Sequence, residues 1–127
     1  MSAANIELVR NIYDAWAEGR SARAFIAEDV EYVNPPDAIE PGVLRGRRSF
    51  ARIRDAYEDV SLVPERYVDA GADDVVVIAR LKVGTRGFHT ETTQGYVWTV
   101  RDGQAVRFRW FTDPAQALAA VGLDASQ

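Results

Sequence analysis

Val75-Val76-Val77-Ile78-Ala79-Arg80-Leu81-Lys82-Val83 is the most strongly β-branched stretch of this chain. It follows a turn signal, Ala70-Gly71-Ala72-Asp73-Asp74, and stops at Gly84, which is the punctuation of a strand. Side chains alternate faces along a strand. One face therefore carries Val75, Val77, Ala79, Leu81 and Val83, and the other Val76, Ile78, Arg80 and Lys82. Alternation leaves two readings of Arg80 open. Either its face is solvated, or both faces are covered and the guanidinium sits in a pocket. There it needs a carboxylate, a carbonyl or a ligand.

Around this strand the chain reads as a meander over 62–70, 75–83, 88–101 and 105–111. Asp102-Gly103 marks its clearest hairpin turn. Within 92–100, Thr92, Gln94, Tyr96, Trp98 and Val100 share a face opposite Glu91, Thr93, Gly95, Val97 and Thr99. In the last strand Val106, Phe108 and Trp110 oppose Arg107 and Arg109. Upstream, Ile6, Val9, Ile12, Tyr13 and Trp16 fall at helical spacing over 4–18, with Gly19 as the stop. Ser21 caps a short second helix through Ile26. A short strand over Val30–Val33 runs into Asn34-Pro35-Pro36-Asp37, whose prolines force an extended loop. Pro41-Gly42 is a further turn. A third, basic helix is predicted from Arg47 to Glu58, with Phe50, Ile53 and Tyr57 on one face. Thr112-Asp113-Pro114 opens a closing Ala/Leu helix that Gly122 stops. Helices followed by a strand meander make an α+β class. A long sheet of this kind curls, and the N-terminal helices then cover its concave face above a pocket.

The totals bound the function. The 127 residues form one domain, 1–127, large enough for a core without staples. A net charge of −4 and the lack of a basic aromatic stripe argue against nucleic acid. With no cysteine and one histidine, His89, neither a thiolate site nor a histidine metal site is expected, and no cofactor is implied. No apolar run reaches the ~20 residues that span a bilayer, and the first residues lack a signal-peptide pattern. No membrane partner and a cytoplasmic location are the expectations.

The order of elements resembles the nuclear transport factor 2-like superfamily and, within it, the SnoaL-like polyketide cyclase group. The carriers are Tyr13-Asp14-Ala15-Trp16, Glu31-Tyr32-Val33-Asn34-Pro35-Pro36, Gly46, Val97-Trp98-Thr99-Val100-Arg101-Asp102-Gly103 and Thr112-Asp113-Pro114-Ala115-Gln116-Ala117-Leu118 through Gly122-Leu123. The resemblance implies a cone-shaped pocket with Tyr13, Trp16, Tyr32, Asn34, Arg80, Gln94, Tyr96, Trp98, Phe108 and Trp110 facing inward. Arg80, Tyr32 and Asn34 are the candidate catalytic residues. The others, Tyr13, Trp16, Gln94, Tyr96, Trp98, Phe108 and Trp110, are the candidate substrate-binding set.

Carried over position by position, the chemistry is incomplete. Tyr32 and Asn34 look like the water-holding pair of the limonene epoxide hydrolases, and Arg80 like their central arginine. The two relay aspartates are replaced by Lys82 and Trp110, so the relay has neither base nor acid. Against the ketosteroid isomerases, the base position is Asn34 and the protonated-acid position falls near Tyr96. Asp37 and Glu40 lie on the proline loop, and Glu91 points away. His89 reads as an exposed edge residue, Asp113 as a helix cap and Asp102 as a turn residue.

Two classes of function follow. The first is a pocket protein with isomerase, cyclase or lyase chemistry on a small hydrophobic or aromatic molecule, with Arg80 as the electrophile. The second is a non-catalytic binder or an adaptor that uses the sheet. In either case the face carrying Val75, Val77, Ala79, Leu81 and Val83 is expected to pair two copies as a homodimer.

Overall fold

A computed structural model describes residues 2–51 and 59–124. Helix α1, Ser2–Ala17, is followed by a 3-10 turn at Arg23–Phe25. The strands are β1 (Ile26–Asn34), β2 (Gly42–Arg45), β3 (Asp59–Asp69), β4 (Asp74–Thr85), β5 (Phe88–Arg101) and β6 (Gln104–Phe111). A second 3-10 turn, Arg47–Ala51, lies between β2 and β3, and α2, Pro114–Ala120, closes the fold. The strands form one curved, open sheet in the order β2-β1-β6-β5-β4-β3. Only β1 and β6 run parallel among these neighbours; the other pairs are antiparallel.

The β4 stretch forms the expected strand. Its register lays Val75 beside Trp98, Val77 beside Tyr96 and Ala79 beside Gln94 on one face. Val9, Ile12, Tyr13 and Ala15 of α1 pack on that face, so Val75, Val77 and Ala79 lie in the main core. This corrects the face on which a second copy was expected. The face assigned to a second copy is the concave one, and its central residues are already covered by α1.

The outer face has its own small core. Val76 and Val97 pack against Ala117 and Leu118 of α2. Gly95 makes this docking fit: a Cβ there would stand 2.6 Å from the Ala117 Cβ and 2.9 Å from the Pro114 Cα. Asp113 caps α2 as read from the sequence, its carboxylate accepting from the Ala115 N–H at 2.9 Å. The β5–β6 turn also matches, with Asp102 and Gly103 both at positive φ, 52° and 77°, the signature of a tight hairpin.

Several boundaries differ. β1 begins at Ile26 rather than Val30, so the second helix shrinks to one 3-10 turn. Ser21 accepts from the Arg23 N–H, as a turn residue does, and the turn itself has no side-chain cap. β2 was not anticipated; four residues behind Pro41 carry too little alternation to announce a strand. Arg47–Ala51 is a 3-10 turn, and the rest of the predicted third helix, with Ile53 and Tyr57, lies outside the described residues.

Candidate functional site: an aromatic cone

The inner face is built in rungs. Tyr32 of β1, Phe108 of β6 and Trp98 of β5 stand side by side in register. One rung on, Trp110 of β6 and Tyr96 of β5 are paired, with Asn34 ending β1 beside them. Period-two alternation on three neighbouring strands therefore puts five rings in one patch. From α1, Tyr13 adds edge-on contact to Trp98 at a centroid separation of 5.9 Å, and Trp16 lies 6.1 Å from the same ring.

Phe50, in the second 3-10 turn, fills the middle. Its ring stacks on Trp98 at 5.5 Å with planes 6° apart. It also touches Trp16 at 5.6 Å, Tyr32 at 5.1 Å and Phe108 at 5.2 Å. Sequence reasoning placed Phe50 on a helix face and left it out of the site. Tyr67 of β3 was also missed: it meets Tyr13 at 6.4 Å and carries the Arg10 guanidinium 4.7 Å above its ring. A bulge between Pro64 and Arg66 interrupts the alternation that points Tyr67 inward.

Several polar tips on this face are paired with one another or with the backbone. The Trp98 indole N–H donates to the Tyr13 hydroxyl at 2.9 Å, fully inside the core. The Tyr96 hydroxyl donates to the Gln94 Oε1 at 2.9 Å. The Trp110 indole N–H donates to Asn34 Oδ1 at 2.6 Å, while Asn34 Nδ2 donates to the Glu40 carbonyl at 2.9 Å. Asn34 thus ties the proline loop to β6 with both ends of its amide, which leaves it little with which to hold a water.

Burial in the aromatic core pushes the Tyr13 phenol well above the usual tyrosine range; the neighbouring Tyr96 adds to this and the Trp98 hydrogen bond opposes it. Burial likewise raises Tyr96. Both phenols therefore stay protonated near neutrality. The inner-face positions around these rings, Tyr32 and Asn34 of β1, Gln94, Tyr96 and Trp98 of β5, and Phe108 and Trp110 of β6, carry neither a carboxylate nor a cation.

Nine of the ten inward candidates share this face, and they divide by depth. Tyr13, Trp98 and Phe108 form the packed floor, and Tyr96 is buried beside it. Trp16, Tyr32, Asn34, Gln94 and Trp110 are half-buried at the rim. Arg80 is the exception. It pairs with Val63 and Thr93 in register on the outer face. Its side chain is 47% exposed, with Nη2 2.7 Å from Glu65 and Nε 3.1 Å from Glu91. Lys82 faces the same way and reaches Glu91 at 3.8 Å. Of the two readings of Arg80, the structure has the solvated one, and the inward placement is corrected. Two exposed carboxylates satisfy the guanidinium, so no pocket is needed to do so. His89 is an exposed edge residue 3.8 Å from Asp59. Among the described residues, no three histidine, aspartate or glutamate side chains cluster as a metal site. None of the described helices is long and apolar enough to cross a membrane.

Comparison with known proteins agrees with this architecture. An NTF2-like protein from Burkholderia thailandensis E264 superposes with a TM-score of 0.72 at 27% identity, over 88% of this chain and 95% of that one. A SnoaL-like polyketide cyclase homologue from Jannaschia sp. CCS1 gives 0.72 at 19% identity, over 95% and 93%. TerC, crystallised with polyporic acid, gives 0.73 at 23% identity, over 93% and 98%. No curated protein is significantly similar to the chain. The profile of the SnoaL-like domain matches residues 9–108, which include the second half of α1, the floor residues Tyr13, Trp98 and Phe108, and the rim residues other than Trp110. The chain belongs to the SnoaL-like domain family, within the NTF2-like superfamily.

Proposed function

We propose that this chain is a small-molecule pocket protein that holds an uncharged, largely aromatic compound against the Tyr32, Gln94 and Trp110 rim of the cone. The observation that supports it is the composition of the inner face. Rings lie below, a carboxamide stands at the rim, and no ionised side chain occupies the inner positions of β1, β5 and β6 around them. An uncharged ring gains by leaving water for such a surface, whereas an ionised ligand gives up hydration without a partner. Gln94 accepts the Tyr96 hydrogen bond on its oxygen, so its amide N–H groups remain to donate to a ligand carbonyl or hydroxyl oxygen.

Isomerase, cyclase or lyase chemistry is the second reading, and Tyr96 favours it. A buried phenol held in its protonated form can stabilise an oxygen that gains negative charge. The single Tyr96 O–H donates to Gln94 Oε1, so it serves a substrate oxygen only by turning from that bond, whereas the Gln94 amide N–H groups donate without such a turn. An adaptor that uses the sheet would have to use its outer face, since the centre of the inner face lies under α1.

Thermal shift and tryptophan fluorescence with 2-naphthol and 2-naphthoate test the binding. Saturable binding of the naphthol, weakened in Gln94→Leu, supports the reading. Tighter naphthoate binding at the rim, or no naphthol binding, contradicts it. Protein-dependent exchange of deuterium into a bound aryl ketone separates the catalytic reading from the binder.

A further inference from the structure

A second cleft lies away from the rim, where the C-terminal end of α1, the turn after it and the second 3-10 turn meet. It encloses about 190 Å³, and Trp16, Arg20, Ser21, Arg23, Arg47 and Phe50 line it. It opens beside Ile26, at the start of β1, whereas Asn34 ends that strand. Eight residues of strand separate these ends by about 25 Å. The cleft is therefore a different place from the Asn34, Gln94 and Trp110 end of the rim, and of the rim residues it takes only Trp16.

The cleft's chemistry is opposite to that of the cone. In a chain of net charge −4 it gathers three arginines, and among the described residues no acidic side chain lines it. Arg47 is half-buried, and its Nε is fixed by donation to the Ile26 carbonyl at 2.8 Å. Its terminal N–H groups are left for another acceptor. Arg20 is partly neutralised by Glu18 at 2.9 Å. Arg23 is exposed, and its hydrogen bonds are made by its backbone, the N–H donating to Ser21 Oγ and the carbonyl accepting from the Ile26 N–H. Trp16 and Phe50 are half-buried and lean on each other at 5.6 Å, which gives the same cleft an aromatic wall.

We infer that this cleft binds a small aromatic carboxylate, its ring against Trp16 and Phe50 and its oxygens on Arg23 and Arg47. Arginine forks match a carboxylate in two parallel hydrogen bonds, and guanidinium and ring surfaces stack well. The volume is below the ~300 Å³ at which drug-sized sites begin, so the ligand is a single ring. Occupancy would be felt in the cone, because Trp16 and Phe50 both touch Trp98.

The test titrates the full chain with benzoate, benzamide and inorganic phosphate, following the three indole N–H resonances. Benzoate should shift Trp16 and leave Trp110 in place. Benzamide should bind at least roughly tenfold more weakly, since it lacks the charge-assisted bonds. Arg23→Gln, at an exposed position, should weaken benzoate roughly three- to fivefold, while Arg80→Gln, which removes the same charge elsewhere, should not. Equal affinity for benzamide, no benzoate binding, an unaffected Arg23→Gln variant, or a shift at Trp110 instead of Trp16 would each overturn the inference. Displacement of benzoate by phosphate at equal concentration would overturn its aromatic part.

Discussion

Removing the hydrogen bond between Trp98 and Tyr13 one partner at a time should cost more than removing both together would suggest. The indole N–H and the hydroxyl are 2.9 Å apart, with Trp98 at 0% and Tyr13 at 4% exposure, so water cannot replace a lost partner. Tyr13→Phe leaves a buried indole N–H unpaired, at about 1–3 kcal/mol. Trp98→Phe leaves the hydroxyl unpaired and also shrinks a ring that Tyr13, Trp16, Phe50 and Phe108 all touch. Its cost is roughly 2–4 kcal/mol. In the double variant no polar atom is stranded, so the total should fall short of the sum by about 1–2 kcal/mol. Urea unfolding of the four proteins, with coincident fluorescence and circular dichroism transitions, gives the coupling. Single-variant costs that add to within about 0.5 kcal/mol would refute the claim that this pair is a dry, shared hydrogen bond.

Three further outcomes are expected. Gly95→Ala forces a methyl into Ala117 and Pro114 and should destabilise the fold by about 1–3 kcal/mol, with amide exchange fastest in α2; an unchanged urea midpoint would mean that α2 docks elsewhere. The Glu31 carboxyl is held below its usual range, first by the Arg107 hydrogen bond and then by Arg45. A lowered carboxyl stabilises the fold above its unfolded pKa and loses that contribution as pH falls through the folded value, so the stability gap between wild type and Glu31→Gln should close as pH drops from 7 to 3. Arg80→Met should leave naphthol binding unchanged and shift stability by no more than about 1 kcal/mol, as for an exposed ion pair; loss of binding would return Arg80 to the site.

Alternation carried most of the fold. Val75 to Val83 and the Tyr96, Trp98, Phe108 and Trp110 faces are period-two patterns on long strands, and their rungs meet as the pattern requires. What alternation cannot give is which face is concave. Val75, Val77 and Ala79 are as apolar as Val76 and Ile78, because α1 covers one side and α2 the other. Only the cross-strand register, with Val77 beside Tyr96, fixes the choice, and Arg80 follows to the outside. Phe50 escaped for another reason. It reaches the floor from a 3-10 turn, where helical spacing has no predictive force. Asn34 was read as a ligand-facing residue from its setting before Pro35, but hydrogen bonds to Trp110 and Glu40 occupy both ends of its amide.

The aromatic cone as a site for uncharged ligands is tested most directly by the Trp110 indole N–H resonance. Titration with 2-naphthol should move it saturably, as the ligand settles beside Gln94 and disturbs the bond to Asn34. Titration with 2-naphthoate should leave it in place. A Trp110 signal that follows naphthoate, or that ignores naphthol while the protein stays folded, would contradict the account.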